Sequence, residues 1–320
     1  MKPILIGKMR AAGVTLVELM ISLALGLLIV LVGSALLASS NASYLSQTEA
    51  TRLNDSALYA HEIISRAIRQ AAFIDWDGGA VAVRPEDSAS ISGLDARSVS
   101  KNSEGIDSPV NGAVNGSDVL AVRYSGTGTG VGGDGSVINC AGFGVGKAAS
   151  EAERGWSIFY VATDVSGEAE LRCKYRGASS WGADAIVRGV DSFQVLYGLD
   201  TDDPVDGVAN QYLNAAALNA LDDALALAGA DAAEKQDDKQ RKTHWKRVVS
   251  LKVALLLHGE RGSAGRELLP GRFDLFGKDY ADAYAGSDAG VRIEEATLAP
   301  ALQNRARHAL LWTISLRNRP

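Results

Sequence analysis

The chain has 320 residues, a formal net charge of −6 and a sequence pI near 5.3. That length holds a membrane segment plus one large or two small folded units. The acidic balance, with no basic stripe beyond the N-terminal residues, argues against nucleic acid as a partner.

The stretch Gly13 to Leu37 reads GVTLVELMISLALGLLIVLVGSALL and carries no charge between Leu19 and Leu37. A helix rises 1.5 Å per residue, so about 20 such residues cross the roughly 30 Å hydrocarbon core of a bilayer. Lys2, Lys8 and Arg10 precede it, and the next charge after Glu18 is Glu49. This asymmetry holds the N-terminus in the cytoplasm and sends the remainder across the membrane. Glu18 intrudes near the start, where an unpaired carboxylate is costly. A signal anchor or a cleaved secretory signal is the ordinary alternative. The apolar run is longer than the usual signal core of about 7–15 residues, and neither option explains Glu18 or a small-residue boundary at Ala12-Gly13.

A short basic leader ending in Gly, followed by Thr15-Leu16-Val17-Glu18-Leu19-Met20, resembles the type IV prepilin signature. Val14 stands where that family most often has Phe or Met. The resemblance implies that a prepilin peptidase cuts between Gly13 and Val14, that the new amine of Val14 is methylated, and that Glu18, then the fifth residue, serves assembly. The α-amino group and the Glu18 carboxylate are opposite charges, each costly in lipid. Pairing one subunit's Glu18 with its neighbour's amine neutralises both and sets the axial register. A Glu18 that snorkels to the interface is the bland reading.

From Asn41 to Ala72 the helix continues as an amphipathic one. Leu53, Ala57, Ala60, Ile64, Ala67 or Ile68, and Ala71 recur at three- and four-residue steps; Arg52, Asp55, Tyr59, Glu62, Arg66 and Arg69 line the opposite face. No Pro interrupts Pro3 to Pro85, so a single helix of about 55 residues is predicted, its second half packed on a globular head. Gly26 and Gly33 each weaken it by about 1 kcal/mol relative to Ala, as melting points or as close-approach positions.

After Phe73 the residues Asp75 to Asn115 read as loops and short strands. Ser117–Tyr124, Trp156–Val161, Ala169–Tyr175 and Val187–Leu199 are strand candidates, read together as one antiparallel, meander-like sheet. The run Gly126–Gly135 lacks the Gly-Lys-Ser/Thr ending of a phosphate-binding loop and is read as a flexible hairpin loop. Cys140 and Cys173 are the only cysteines; in an exported domain they most simply form one disulfide, a free buried pair being the alternative. Asp200, Asp202 and Asp206, ahead of Gly207, suit a hard Ca²⁺ ion, but the spacing is not that of an EF-hand and Pro204 interrupts it, so a solvated turn is the plainer reading. No other metal and no cofactor is expected. Residues 211–240 are expected to form an Ala- and Leu-rich helix that turns polar at Asp231–Lys242, an insertion spanning about 211–242. Val248–Leu257 and Arg307–Asn318 are further strands, and Gly259–Gly290 is loop-rich with an apolar patch at Phe273–Phe276.

VDSFQVLYGLDTD at 190–202, the Trp245-Lys246-Arg247-Val248 lead into a strand and the ending TISLRNRP are similar to PilW-type minor pilins. The resemblance implies an α+β, type IV pilin-like fold: a long N-terminal helix on an antiparallel β-sheet head with loop and helical insertions. Its parts would be a leader at 1–13, a transmembrane half at 14–40, an amphipathic half at 41–72 and a periplasmic or extracellular head at 73–320. It implies a minor pilin in a priming or tip complex of the type IV pilus. Partners would be the prepilin peptidase, other minor pilins, the major pilin and the inner-membrane assembly platform. The chain would sit in the inner membrane with its head periplasmic, then at the pilus tip, where an adhesin role is compatible. A minor pseudopilin of a type II secretion system shares the same features. Enzyme activity is not expected: His61, His244, His258 and His308 lie in no HExxH or triad-like local motif, and no GxSxG occurs.

Overall fold

In the computed structural model, residues 13–75, 84–263 and 271–318 are described. The basic leader residues Lys2, Lys8 and Arg10 and the final Arg319-Pro320 lie outside them. Helix α1 runs from Leu16 to Gln70, 55 residues, as the unbroken periodicity predicts. The chain divides into two compact units, Met1–Thr48 and Glu49–Pro320.

In the first unit every described residue is exposed. Side chains such as Leu27, Ile29 and Leu31 are about 70% exposed, a surface that water disfavours and that lipid or packed helices would cover. The helix is long and apolar enough to cross a membrane.

In the second unit α1 supplies Leu53, Ala57, Ala60, Ile64, Ala67 and Ile68 to the main core. The alanines on this stripe let the backbone approach the sheets closely, while Ile64 and Ile68, both fully buried, contribute about 1.5–3 kcal/mol each. The helix ends without a glycine. Ala72 takes a left-handed φ of 57°, and the Asn318 side chain donates to the Ala71 carbonyl at 3.0 Å, so the end of the chain caps the end of the helix.

Thirteen strands follow among the described residues. A five-stranded antiparallel sheet has the order β1 (Ile91–Leu94), β4 (Val119–Tyr124), β5 (Gly155–Thr163), β6 (Ala169–Arg176), β7 (Trp181–Arg188). A second sheet has the order β13 (Arg307–Ser315), β10 (Val248–His258), β8 (Val190–Leu199), β9 (Gln211–Leu213). Two small hairpins complete the set, β2 (Ser98–Val99) with β3 (Pro109–Val110), and β11 (Arg272–Asp274) with β12 (Arg292–Glu294).

The single meander expected from sequence is therefore two sheets, and the run Val187–Leu199 is two strands. The break is Gly189. Its φ is +75°, its N–H donates to Ala169 and its carbonyl accepts from His258, and a Cβ there would lie 2.6 Å from the His258 carbonyl oxygen. Only glycine makes this bend, which carries the chain from one sheet into the other. Asp118 joins the sheets on the other side: its carboxylate accepts from the N–H groups of Val195 at 2.9 Å and Ala96 at 3.1 Å.

Both faces of the five-stranded sheet are covered at its centre. Leu120, Val122, Phe159 and Leu171 face the main core; Val119, Ala121, Ile158 and Tyr160 face a second core with Val99 and Ile106. This explains why β4 and β5 read as nearly continuous apolar runs. The 211–240 region corrects the expected single helix: it is β9, then α2 (Ala215–Asp223), a loop, and α3 (Ala232–Lys242), with Asn214 and Asp231 as N-caps. The Phe273–Phe276 patch is structural. With Leu275, Ile293 and Leu298 it covers Ala254 and Leu256 on the outer face of the second sheet, and α4 (Lys278–Tyr284) packs beside it with the Tyr280 and Phe276 ring centroids 5.4 Å apart.

Candidate functional site

At the start of α1, the Thr15 carbonyl accepts from the Leu19 N–H at 3.1 Å, which makes Thr15 the N-cap. Its hydroxyl accepts from the Glu18 N–H at 3.2 Å, while the Glu18 carboxylate accepts from the Thr15 N–H and hydroxyl, each at 3.1 Å. This reciprocal pair is a capping box, and it places the carboxylate at the positive end of the helix dipole. The sequence reading gave Glu18 only an intermolecular partner; the Thr-x-x-Glu spacing was itself the signal for an intramolecular one. Gly13 and Val14 precede the helix and are exposed, and a Cβ added at Gly13 would meet nothing within 4 Å. An amine freed on Val14 would stand beside this cap, so any pairing of Glu18 with another chain competes with a local one.

The disulfide Cys140–Cys173 is formed, with the Cα atoms 5.7 Å apart, and ties the glycine-rich segment to β6. That segment is an ordered loop with a ladder of its own: Gly126 N–H donates to Gly146 and Thr127 N–H to Val145. Asp134 caps it, accepting from the Thr127 hydroxyl at 2.6 Å and from the Ser136 N–H at 2.9 Å, bonds that hold its carboxyl down at about 2. Its polar groups are spent on its own fold rather than left as a phosphate cradle.

Asp200, Asp202 and Asp206 converge, with one carboxylate oxygen of each within 4.8 Å of the others. At least one oxygen of each already accepts a hydrogen bond. Asp200 accepts from the Asp202 N–H at 3.1 Å and the Gly207 N–H at 2.6 Å, Asp206 from the Val208 N–H at 2.7 Å, and Asp202 from the Asn210 amide at 3.0 Å. Burial alone would raise the Asp200 carboxyl; those N–H bonds and the charge of Arg247 bring it below the ordinary value instead. These bonds form a self-capped turn between β8 and β9.

Three of the four histidines have structural surroundings. His61 stacks on Trp312 with ring centroids 4.8 Å apart, and His244 Nδ1 lies 2.7 Å from Asp222. His258 is buried between Asp191, 2.9 Å from Nδ1, and Glu168 on Nε2. Arg307 continues this chain through Asp191 at 2.6 Å and Glu295 at 2.8 Å. This hydrogen-bonded row of carboxylates, imidazole and guanidinium fastens the ends of β8, β10 and β13. Sequence reasoning missed it, because its members are up to 139 positions apart, from Glu168 to Arg307.

A family model, PilW, Type IV Pilus-assembly protein W, matches residues 158–318. No curated protein and no solved structure matches the chain. The matched segment starts in β5 and runs past β13, through the 211–242 insertion that the sequence reading left unmatched. It excludes the whole of α1, so it is independent of the Gly13–Glu18 signature. The chain belongs to the PilW family and takes part in type IV pilus assembly.

Proposed function

We propose that this protein is a minor pilin: it is processed between Gly13 and Val14, methylated on Val14, held in the inner membrane by the first half of α1, and then joined to other minor pilins in a priming or tip complex. One observation carries the reading. A prepilin-type start at the tip of an exposed apolar helix and a PilW match confined to residues 158–318 stand on one chain without overlapping. In this scheme 1–13 is the leader, 14–40 the membrane half of the helix, 41–72 its packing half and 73–320 the periplasmic head. Lateral packing of apolar helices supplies the assembly energy, and Glu18, released from its cap to a neighbour's amine, sets the register. Prepilin peptidase, the other minor pilins, the major pilin and the assembly platform are the partners.

Mass spectrometry of the N-terminal peptide from membranes, with and without the prepilin peptidase, tests the scheme. A methylated peptide beginning at Val14 that depends on the peptidase is expected. An intact Met1 or a cut beyond Leu37 would overturn it. Deletion is expected to remove surface pili and twitching motility; loss of exoprotein secretion in their place would assign the chain to a type II secretion system.

A further inference from the structure

An edge strand presents a row of unpaired N–H and C=O groups, and natural sheets blunt such edges. The two main sheets end in β1, β7, β9 and β13. β1 and β9 are four and three residues long. β7 pairs with β6 across a bulge at Leu171/Arg172 and carries Gly182, Asp184 and Arg188. β13 has none of these protections. Its nine residues, RHALLWTIS, contain no Pro and no charge after Arg307, and its register with β10 runs unbroken from Arg307↔His258 to Ser315↔Ser250.

Two flanking bonds fix the phase of this edge. Gly259 N–H donates to the Ala306 carbonyl at 2.8 Å, and Leu316 N–H donates to the Val249 carbonyl at 2.9 Å. Alternate residues of an antiparallel ladder face the same neighbour, so the even-numbered residues bond β10. Ala309, Leu311, Thr313 and Ser315 turn their N–H and C=O groups outward, and no backbone group among the described residues meets them. Leu311 is 48% exposed, while Ile314 is buried in the main core.

We propose that the outer edge of β13 takes an extended segment of a neighbouring pilus subunit as an added strand. The chemistry of the edge selects the ligand class: donors and acceptors repeat about every 6.8 Å along one line, a spacing matched by another extended backbone. The area selects who brings it. Nine residues at about 3.4 Å make an edge about 30 Å long, and a sheet about 10 Å thick then buries roughly 600 Å² over both partners, below the roughly 1,200 Å² of a stable free-standing interface. Two free copies do not stay paired through it. The occupant is a subunit already held alongside by its own membrane helix, whose high effective concentration makes strand addition follow. This inference rests on the proposed pilus role.

Proline at an outward position deletes an edge donor without touching the β10 ladder. Full-length Ala309→Pro and Thr313→Pro, expressed in the native cell, are expected to reach the membrane, form the disulfide and melt within a few degrees of wild type, yet to leave surface pili at background by electron microscopy. Ala309→Ser, Thr313→Ser and Leu311→Ala keep the N–H and are expected to assemble. Wild-type piliation by both folded proline variants overturns the proposal, and so does an equal loss in Leu311→Ala, which would mean side-chain packing in place of strand pairing. Hydrogen exchange of the wild-type chain needs no substitution: the amides of Leu311 and Thr313, open in the detergent-solubilised subunit, are expected to be protected in the pilus-borne one, and unchanged exchange also overturns the proposal. Normal pili in a deletion strain would instead refute the pilus role itself.

Discussion

Replacing Cys140 and Cys173 together by alanine is expected to destabilise the head by about 4 kcal/mol. The bond closes a loop with a sequence separation of 33, for which loop-closure entropy gives about 12–13 cal/mol/K, or roughly 3.7 kcal/mol at 25 °C. Both residues are nearly inaccessible, at 4% and 1%, so lost burial of the sulfurs adds to the cost. Alanine is preferred to serine because a hydroxyl there would have to find a buried partner. The segment the bond ties down carries Gly128, Gly130, Gly133, Gly135 and Gly142 at positive φ, so little else than its short ladder and this link orders it. Urea unfolding of the detergent-solubilised full chain, followed by tryptophan fluorescence, measures the loss. The m-value is expected to rise modestly, since the unlinked unfolded chain exposes more surface. Proteolytic nicking between residues 126 and 136 is expected to appear before global unfolding. A destabilisation below about 1 kcal/mol would refute the reasoning, because it would mean the loop closes on its own ladder.

Three further outcomes follow from the same geometry. Asp191→Asn removes the shared partner of His258 and Arg307, both buried, and is expected to cost about 3–5 kcal/mol in the same assay; a loss under about 1 kcal/mol would show that Glu295 and Glu168 suffice. Burial raises the Asp95 carboxyl to about 6, against the N–H bonds of Ala216 and Ala215. A carboxyl raised on folding stabilises below its unfolded value of 3.8 and loses that contribution as pH rises through its folded value, so roughly 2–3 kcal/mol is expected to fade between about pH 4 and 6, and Asp95→Asn is expected to flatten that slope. Millimolar Ca²⁺ is expected to leave the melting temperature unchanged, because both oxygens of Asp200 and one each of Asp202 and Asp206 already accept hydrogen bonds within the turn; a calcium-dependent rise would reverse that assignment.

Much of the fold was legible in local patterning. The three- and four-residue recurrence from Leu53 to Ile68 marks the buried face of α1, and a 55-residue helix needs only the absence of breakers to be read. The strands β4, β5, β10 and β13 were visible as apolar runs and β6 as an alternating one, and the two cysteines could be paired. The division into two sheets was not. Gly189 sits inside a run that reads as one strand, and nothing local says that its neighbour will be His258 rather than Ala169 alone. The break between α2 and α3 was hidden by an Ala-rich composition that favours helix throughout, while the N-caps Asn214 and Asp231 marked two starts.

The sequence by itself determined the elements whose causes are short-range: the apolar helix, its capping box at Thr15 and Glu18, and the family to which residues 158–318 belong. Tertiary structure alone decided which charges are buried and which strand is left at an edge. Asp118, Asp191 and Arg307 look like surface residues in the chain, yet each is buried because a partner from a distant strand satisfies it. β10 and β13 look alike as apolar runs, and only the order of the sheet covers one on both sides and leaves the other with open backbone groups. Local energies are set by neighbours in sequence; edges and buried ion pairs are set by which distant segments the fold brings together.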